Sequence, residues 1–105
     1  MKIKIIVSAV MALLGMVSSV QAQDKEALYV KSLAATCANC HGTNGKAVEG
    51  SSVTSLAGLD KNYIVAQMKA FKTGTRPATI MHQISKGFSE AQIESLAGYF
   101  SSQKK

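Results

Sequence analysis

The segment Cys37–His41, with the sequence CANCH, constrains this chain more than any other feature. It contains both cysteines of the chain and, directly after the second one, a histidine. A C-x-x-C pair is used as a thioredoxin-type redox pair, as part of a zinc site or, when a histidine follows, as the attachment site of a c-type haem. The rest of the sequence discriminates among these three chemistries.

The first 22 residues have the features of a secretory signal peptide. Lys2 and Lys4 give a positive start, the segment 5–17 is an apolar run, and small residues follow up to Ala22. The run is shorter than the roughly 20 apolar residues that a membrane-spanning helix needs. We therefore expect export to the periplasm, cleavage near Ala22, a mature domain of residues 23–105 and no membrane insertion of the mature chain.

The mature chain is small for a domain that must build its own core. Removing 22 of the 105 residues leaves 83, and a chain of that size folds marginally unless something else completes its interior. Loss of Lys2 and Lys4 lowers the formal net charge from +6 to +4. Aromatic and basic residues are not interleaved as in nucleic-acid-binding modules, so no nucleic-acid partner is expected.

Helical periodicity runs through the mature chain, and no segment alternates like a strand. We predict a first helix from Asp24 to about Cys40, a second from an N-cap at Asp60 to Gly74, and a third from a capping box formed by Ser89 and Gln92. Their apolar stripes are Val30, Leu33, Ala34 and Cys37 in the first, Ile64, Met68 and Phe71 in the second, and Ile93, Leu96, Ala97 and Phe100 in the third. The segment 75–88, with the only proline, is expected to be irregular. The prediction is an all-α domain with three main helices.

Among the three chemistries of the cysteine pair, covalent haem attachment suits this chain best. A thioredoxin-type pair would need strands, and a closed zinc site would have only Cys37, Cys40, His41 and His82 to draw on. On one helical turn, residues i and i+3 share a face, so both thiols can add to the two vinyl groups of one porphyrin. His41 then lies under the iron as its proximal ligand. One haem c would also complete the core.

A low-spin electron carrier needs a sixth iron ligand, and the mature chain offers three candidates. Met81 lies in the segment expected to be irregular, where a loop can bring its sulfur to the iron, and it is the preferred candidate. His82 would give a bis-histidine site, and Met68 lies on the apolar stripe of the second helix, where packing is its ordinary role. An open sixth site is the remaining alternative.

A resemblance to a known family rests on three segments, the first of which contains the CANCH motif: CANCHGTNG, SLAGLDKNYIVAQMKAFKTGTRPATIM and SEAQIESLAGYF. The mature chain resembles class I (monohaem) cytochromes c over essentially its whole length. It is similar to the cytochrome subunit of flavocytochrome c sulfide dehydrogenase and to the single-haem halves of tandem two-haem bacterial cytochromes c. The resemblance implies thioether bonds at Cys37 and Cys40, iron ligation by His41 and Met81, and a small cytochrome c fold wrapped around one haem.

The resemblance also implies that the first and last helices cross near Leu33, Leu96 and Phe100. Thr54 stands where the family usually has a proline, in a segment whose backbone carbonyl accepts a hydrogen bond from the proximal histidine. A carbonyl is present whichever residue occupies the position, so we expect the bond to His41 to form.

These observations predict electron transfer in the periplasm, and no residue is required for acid–base catalysis, so the chain is not predicted to be an enzyme. The partners expected are redox proteins such as a sulfide-oxidising flavoprotein or a terminal oxidase. Five basic residues and no acid lie between positions 61 and 88, namely Lys61, Lys69, Lys72, Arg76 and Lys86. They form either an ordinary solvated face or a basic rim for an acidic partner. A ligand sensor or peroxidase-like protein with a weak or open sixth site remains the alternative function, and a free thiol pair is a minor one.

Overall fold

The computed structural model describes residues 2–105, including all of their side chains except those of 12–20 and 22. All the regular secondary structure within this range is helical, as predicted. They are α1 (Lys2–Ala35), α2 (Ala38–His41), a short 3-10 turn (Thr43–Gly45), α3 (Lys61–Thr73), α4 (Met81–Lys86) and α5 (Glu90–Ser101). The three longest, α1, α3 and α5, include the three main helices that the sequence predicts.

The first helix differs from its prediction at both ends. α1 is continuous from Lys2, through the residues predicted to form the signal peptide, instead of beginning at Asp24. It ends at Ala35 rather than near Cys40, because the Thr36 hydroxyl donates to the Leu33 carbonyl at 2.7 Å and the Cys37 N–H bonds only three residues back, to Ala34, at 3.1 Å. A new turn, α2, then carries Cys40 and His41. Removal of residues 1–22 stays a prediction, and several of their side chains lie outside the described set.

Helix α3 begins and ends where the sequence predicts, and α5 begins at the predicted capping box. The Asp60 carboxylate accepts from the Tyr63 N–H at 2.9 Å and caps α3, and Gly74 ends that helix in the left-handed conformation, at φ 81°. At α5 both bonds of the capping box form between Ser89 and Gln92. The caps at Asp60 and Ser89 satisfy N–H groups at the helix N-termini that would otherwise lack partners.

The expectation of an irregular segment over 75–88 is wrong in part, because residues 81–86 form helix α4. This helix has six residues, and Ile80 before it provides no side-chain cap. Helices this short are marginal in isolation, so tertiary packing stabilises them rather than local sequence. Met81 is therefore the first residue of a helix that packs on α3, instead of a loop residue.

The core lies where α1, α3 and α5 meet. Its buried residues are Ala34, Ile64, Leu96, Ala97 and Phe100, and Leu33 packs against them from α1. The contact between the first and last helices therefore falls at the residues that the resemblance implies. Apart from Phe100, the buried cluster has no aromatic side chain, and the space beside it forms the cavity described below.

None of the helices in the described part of the chain has the combination of length and apolar character needed to cross a bilayer.

Candidate functional site

Both cysteines lie beside the junction of α1 and α2, and neither forms a disulfide. Cys37 is half-buried and Cys40 is exposed. Burial raises the pKa of the Cys37 thiol, although a hydrogen bond with the Thr36 hydroxyl acts in the opposite direction. A redox-active pair has a lowered thiol pKa, so a raised one argues against thioredoxin-type chemistry.

His41 is held in one orientation by the loop between the 3-10 turn and α3. Its Nδ1 lies 2.6 Å from the backbone carbonyl oxygen of Thr54. A carbonyl only accepts hydrogen bonds, so Nδ1 carries the proton and the lone pair is on Nε2. This arrangement fixes the ring and leaves Nε2 available to a metal. The hydrogen bond expected at Thr54 is therefore present.

A cavity of about 350 Å³ opens beside this histidine. Cys37, Cys40, His41 and Thr54 line one part of it. The remaining wall is largely apolar and comes from α3, α4, α5 and the intervening segments, through Leu56, Leu59, Ile64, Met68, Phe71, Ile80, Met81, Ile84, Phe88, Leu96 and Phe100. The molecule thus holds two thiols and one imidazole at the edge of an apolar space, as a large planar apolar group would require.

The three candidates for the sixth ligand occupy different places. Met81 and Met68 line the cavity, whereas the residues that line it do not include His82. Met68 also packs against the buried core cluster. The Nδ1 atom of His82 is buried and has no hydrogen-bond partner among the described atoms. Of the three, Met81 alone lies on the cavity without a second packing role in the core.

Arg76 was not singled out as a site residue from the sequence, although it lines the cavity. Its guanidinium donates to the Gln67 side-chain oxygen at 2.6 Å and lies over the Phe71 ring, 4.6 Å from the centroid. No carboxylate of the described residues forms an ion pair with it. An oriented guanidinium with only neutral partners suits a carboxylate at the cavity edge. The only sequence signal was an arginine beside the only proline, which is too weak to assign a role.

The acid-free basic run is partly neutralised by a different helix. Lys61 pairs with Glu94 at 3.6 Å and Lys69 with Glu90 at 2.9 Å, and both glutamates belong to α5. The hydrogen bond to Glu90 raises the pKa of the Lys69 ammonium. Arg76 and Lys86 are the exposed members of the run that pair with no carboxylate in the described part of the chain.

A tetrahedral zinc site finds no support in this arrangement. Within the described residues, no three His, Cys, Asp or Glu side chains come close enough together to hold a metal ion. Haem c fits better, because it needs two thiols for covalent attachment, one axial nitrogen and an apolar wall. The fold and the site together define a small all-helical domain of the kind that carries a covalently attached haem.

Comparison with known proteins gives the family. The family model "Cytochrome c" matches residues 27–104, and the chain belongs to the cytochrome c family. It therefore carries covalently bound haem c, with the two cysteines in the attachment motif.

Two relatives and one solved structure illustrate the similarity. The cytochrome subunit of sulfide dehydrogenase from Chlorobaculum tepidum is 37% identical over 68 residues, which are 65% of this chain and 60% of the relative. The thiosulfate dehydrogenase electron acceptor of Thiomonas intermedia is 37% identical over 71 residues, 68% of this chain and 33% of that protein. The structure of cytochrome c4 from Acidithiobacillus ferrooxidans aligns with a TM-score of 0.59 and 39% identity, covering 63% of this chain and 37% of the other. The chain thus matches between about a third and three fifths of these longer proteins.

Proposed function

We propose that this chain is a periplasmic electron carrier in which His41 and Met81 are the axial ligands of one haem c, attached through Cys37 and Cys40. The observation that carries the proposal is the shared cavity, which all four side chains line. When bound, haem c supplies a one-electron couple between ferric and ferrous iron. A carrier of this kind needs no acid–base residue, so we regard the chain as an electron-transfer protein rather than an enzyme.

The residues of the chain have distinct parts in this function. Cys37 and Cys40 would supply the thioether sulfurs, and the Thr54 carbonyl holds the His41 ring by Nδ1, which leaves Nε2 free to bind the iron. A thioether opposite an imidazole favours the reduced state and so raises the reduction potential. Arg76, oriented by Gln67 and Phe71, would pair with a carboxylate of the bound group. The apolar wall excludes water from the same space.

The location in the periplasm is supported by the sequence of the first 22 residues. Their positive start, apolar run and small residues up to Ala22 are typical of a signal peptide, and the mature domain would then be residues 23–105. Mass spectrometry of the protein purified from the periplasm would test this part, because a mature mass beginning near Gln23 is expected.

The partner would be another redox protein, and the names of the relatives point to enzymes that oxidise sulfur compounds. A sulfide-oxidising flavoprotein would donate electrons to the haem, and a terminal oxidase would accept them. The exposed cation Lys86, which pairs with no carboxylate among the described residues, favours a partner with an acidic docking surface. Ile84 and Phe88, on either side of it in sequence, line the cavity, so such a surface would dock beside the cavity.

Visible absorption spectra of the purified holoprotein test the ligand assignment. The wild-type protein should be low-spin in both oxidation states, and its ferric form should have the weak far-red band of a methionine–iron bond. Met81→Ala should lose that band and become high-spin or bind added imidazole readily. Met68→Leu is the matched control, because it changes the other methionine of the cavity, and it should keep the band.

Two results would contradict the assignment. A high-spin wild-type spectrum, unchanged in Met81→Ala, would move the function to ligand sensing or peroxidase-like chemistry at an open site. Loss of the band in Met68→Leu but not in Met81→Ala would transfer the sixth ligand to Met68.

A further inference from the structure

The helix that carries Met81 has few apolar contacts of its own. Ile80, which precedes α4, is 57% exposed, and Ile84 within it is 39% exposed. The one buried residue of α4 is Ser85, whose hydroxyl donates to the His82 carbonyl in the same helix. Ile80, Met81 and Ile84 all line the cavity, so the apolar side chains of this segment face the space proposed for the haem, and a polar contact made directly with α3 is a separate attachment.

Lys72 provides such a contact. Its Nζ atom donates to the backbone carbonyl oxygen of Phe88 at 2.5 Å, across 16 residues of sequence. Lys72 lies in the last turn of α3, and Phe88 lies in the connection between α4 and α5. The bond is partly buried, and its donor is charged, so it is stronger than a hydrogen bond between neutral groups. It attaches the C-terminal end of α4 to α3.

The other lysines of α3 make a different kind of contact. Lys61 and Lys69 pair with carboxylates of α5, and these side chains are about half exposed or more. Exposed pairs of this kind contribute little to stability. Lys72 instead satisfies a main-chain carbonyl that has no other hydrogen-bond donor among the described atoms. Its loss would leave that carbonyl unpaired in a partly buried position, where the cost is greater.

We propose that Lys72 is a positioning residue for the sixth ligand: by binding the Phe88 carbonyl it fixes α4 on α3 and so keeps the Met81 sulfur in the cavity. The inference rests on the proposed function, because it takes Met81 as the ligand. It separates the basic run into members with different roles. Lys72 acts within the molecule, whereas Arg76 and Lys86 remain exposed at its surface.

The test compares Lys72→Met with Lys69→Met in the ferric holoprotein. Both variants remove one positive charge from α3, but only the first removes the bond to Phe88. We expect Lys72→Met to bind imidazole in place of methionine at about a tenth of the concentration that the wild-type protein needs, because the Met81-bound state is less favoured. Lys69→Met should bind imidazole as the wild-type protein does. Lys72→Arg, which keeps a charged donor, should restore part of the difference.

A second measurement separates positioning from general stability. On heating, Lys72→Met should lose the far-red band at a temperature below that at which its helical circular dichroism disappears. The inference is overturned if Lys72→Met and Lys69→Met have the same imidazole affinity, or if band and helicity disappear together with Lys72→Arg giving no rescue. If the wild-type protein has the far-red band and either of these results is found, the role of Lys72 is refuted and the Met81 assignment stands. Absence of that band from the wild-type protein would refute the Met81 assignment itself. If Lys72→Met does not fold, Lys72→Gln gives the same comparison.

Discussion

At the scale of single residues, one backbone carbonyl determines what His41 can bind. The 2.6 Å contact from Nδ1 to the Thr54 oxygen sets the tautomer, and the tautomer leaves Nε2 free. Side-chain identity at position 54 is not involved in this bond. It affects only how firmly the loop presents the carbonyl, and it can therefore be changed without removing the acceptor.

Thr54→Pro should stabilise the holoprotein. The Thr54 N–H donates no hydrogen bond to any described atom, so a proline at this position would not remove one. A compatible proline restricts the unfolded chain, and we expect the free energy of unfolding to rise by about 0.4–1 kcal/mol. Thermal unfolding followed by circular dichroism measures the change, and Thr54→Ala is the control. An unchanged or lower stability would mean that the loop conformation at residue 54 does not accept proline.

Position 45 requires glycine, because the Phe100 ring approaches its backbone closely. Its φ is +77°, and a Cβ atom there would lie 2.6 Å from the Phe100 ring. The Gly45 carbonyl also accepts from the N–H groups of Leu56 and Ala57 at 2.7 and 3.1 Å. A side chain at this position would push α5 away from the loop that leads to Thr54.

At the scale of helices, α5 is the element that organises the core. Ile93, Leu96, Ala97 and Phe100 are all buried, in the i, i+3, i+4, i+7 pattern of a helix with one apolar face. Its N-terminal capping box is complete, and its two glutamates bind lysines of α3. The helix is therefore specified locally at its start and by packing along its length.

Removing the cap should destabilise the protein without affecting the haem ligands. Ser89→Ala loses the bond from the Gln92 N–H, and we expect a loss of about 1 kcal/mol in the free energy of unfolding. Chemical denaturation with urea measures it, and the far-red band of the folded state should be unchanged. Ser95→Ala, on the same helix away from the cap, serves as a control and should have little effect. If Ser95→Ala lowers the free energy of unfolding as much as Ser89→Ala does, the loss cannot be assigned to the cap.

At the scale of the whole molecule, charge is arranged by tertiary contacts. The basic run between residues 61 and 88 is free of acids in sequence, yet α5 brings Glu90 and Glu94 onto two of its lysines. Glu90 raises the pKa of Lys69, so the pair stays ionised well above neutral pH. Its contribution is lost only as the pH rises through that higher pKa, where the ammonium loses its proton. Among the members of the run, Arg76 and Lys86 are the exposed cations that pair with no carboxylate in the described part of the chain, and Arg76 is the one proposed to pair with a carboxylate of the bound haem.

Electron exchange with a small anionic oxidant should respond to these unpaired cations. We expect the rate of oxidation by ferricyanide to fall as ionic strength rises, because salt screens the attraction. Lys86→Gln should lower the rate and flatten its salt dependence more than Lys61→Gln does, although both remove one charge. Stopped-flow absorbance measures both. A flat salt profile for the wild-type protein would contradict a basic docking surface.

The sequence by itself determined the chemistry and most of the helices. CANCH specified covalent haem attachment because its spacing puts two thiols and an imidazole on one turn, and the caps at Asp60, Gly74 and Ser89 are local interactions that neighbouring residues complete. The pattern of α5 likewise needed only its own periodicity. In each case the interacting groups are within a few residues of one another.

Only the tertiary structure decided where contacts between distant segments fall. Helix α4 escaped prediction because six residues without a cap acquire their conformation from packing on α3 rather than from local preference. The pairing of Lys61 with Glu94, the bond from Lys72 to Phe88 and the position of Arg76 on the cavity also depend on how the helices pack. A side chain's partner across 16 or more residues is set by the fold, because the chain between them imposes no fixed spacing.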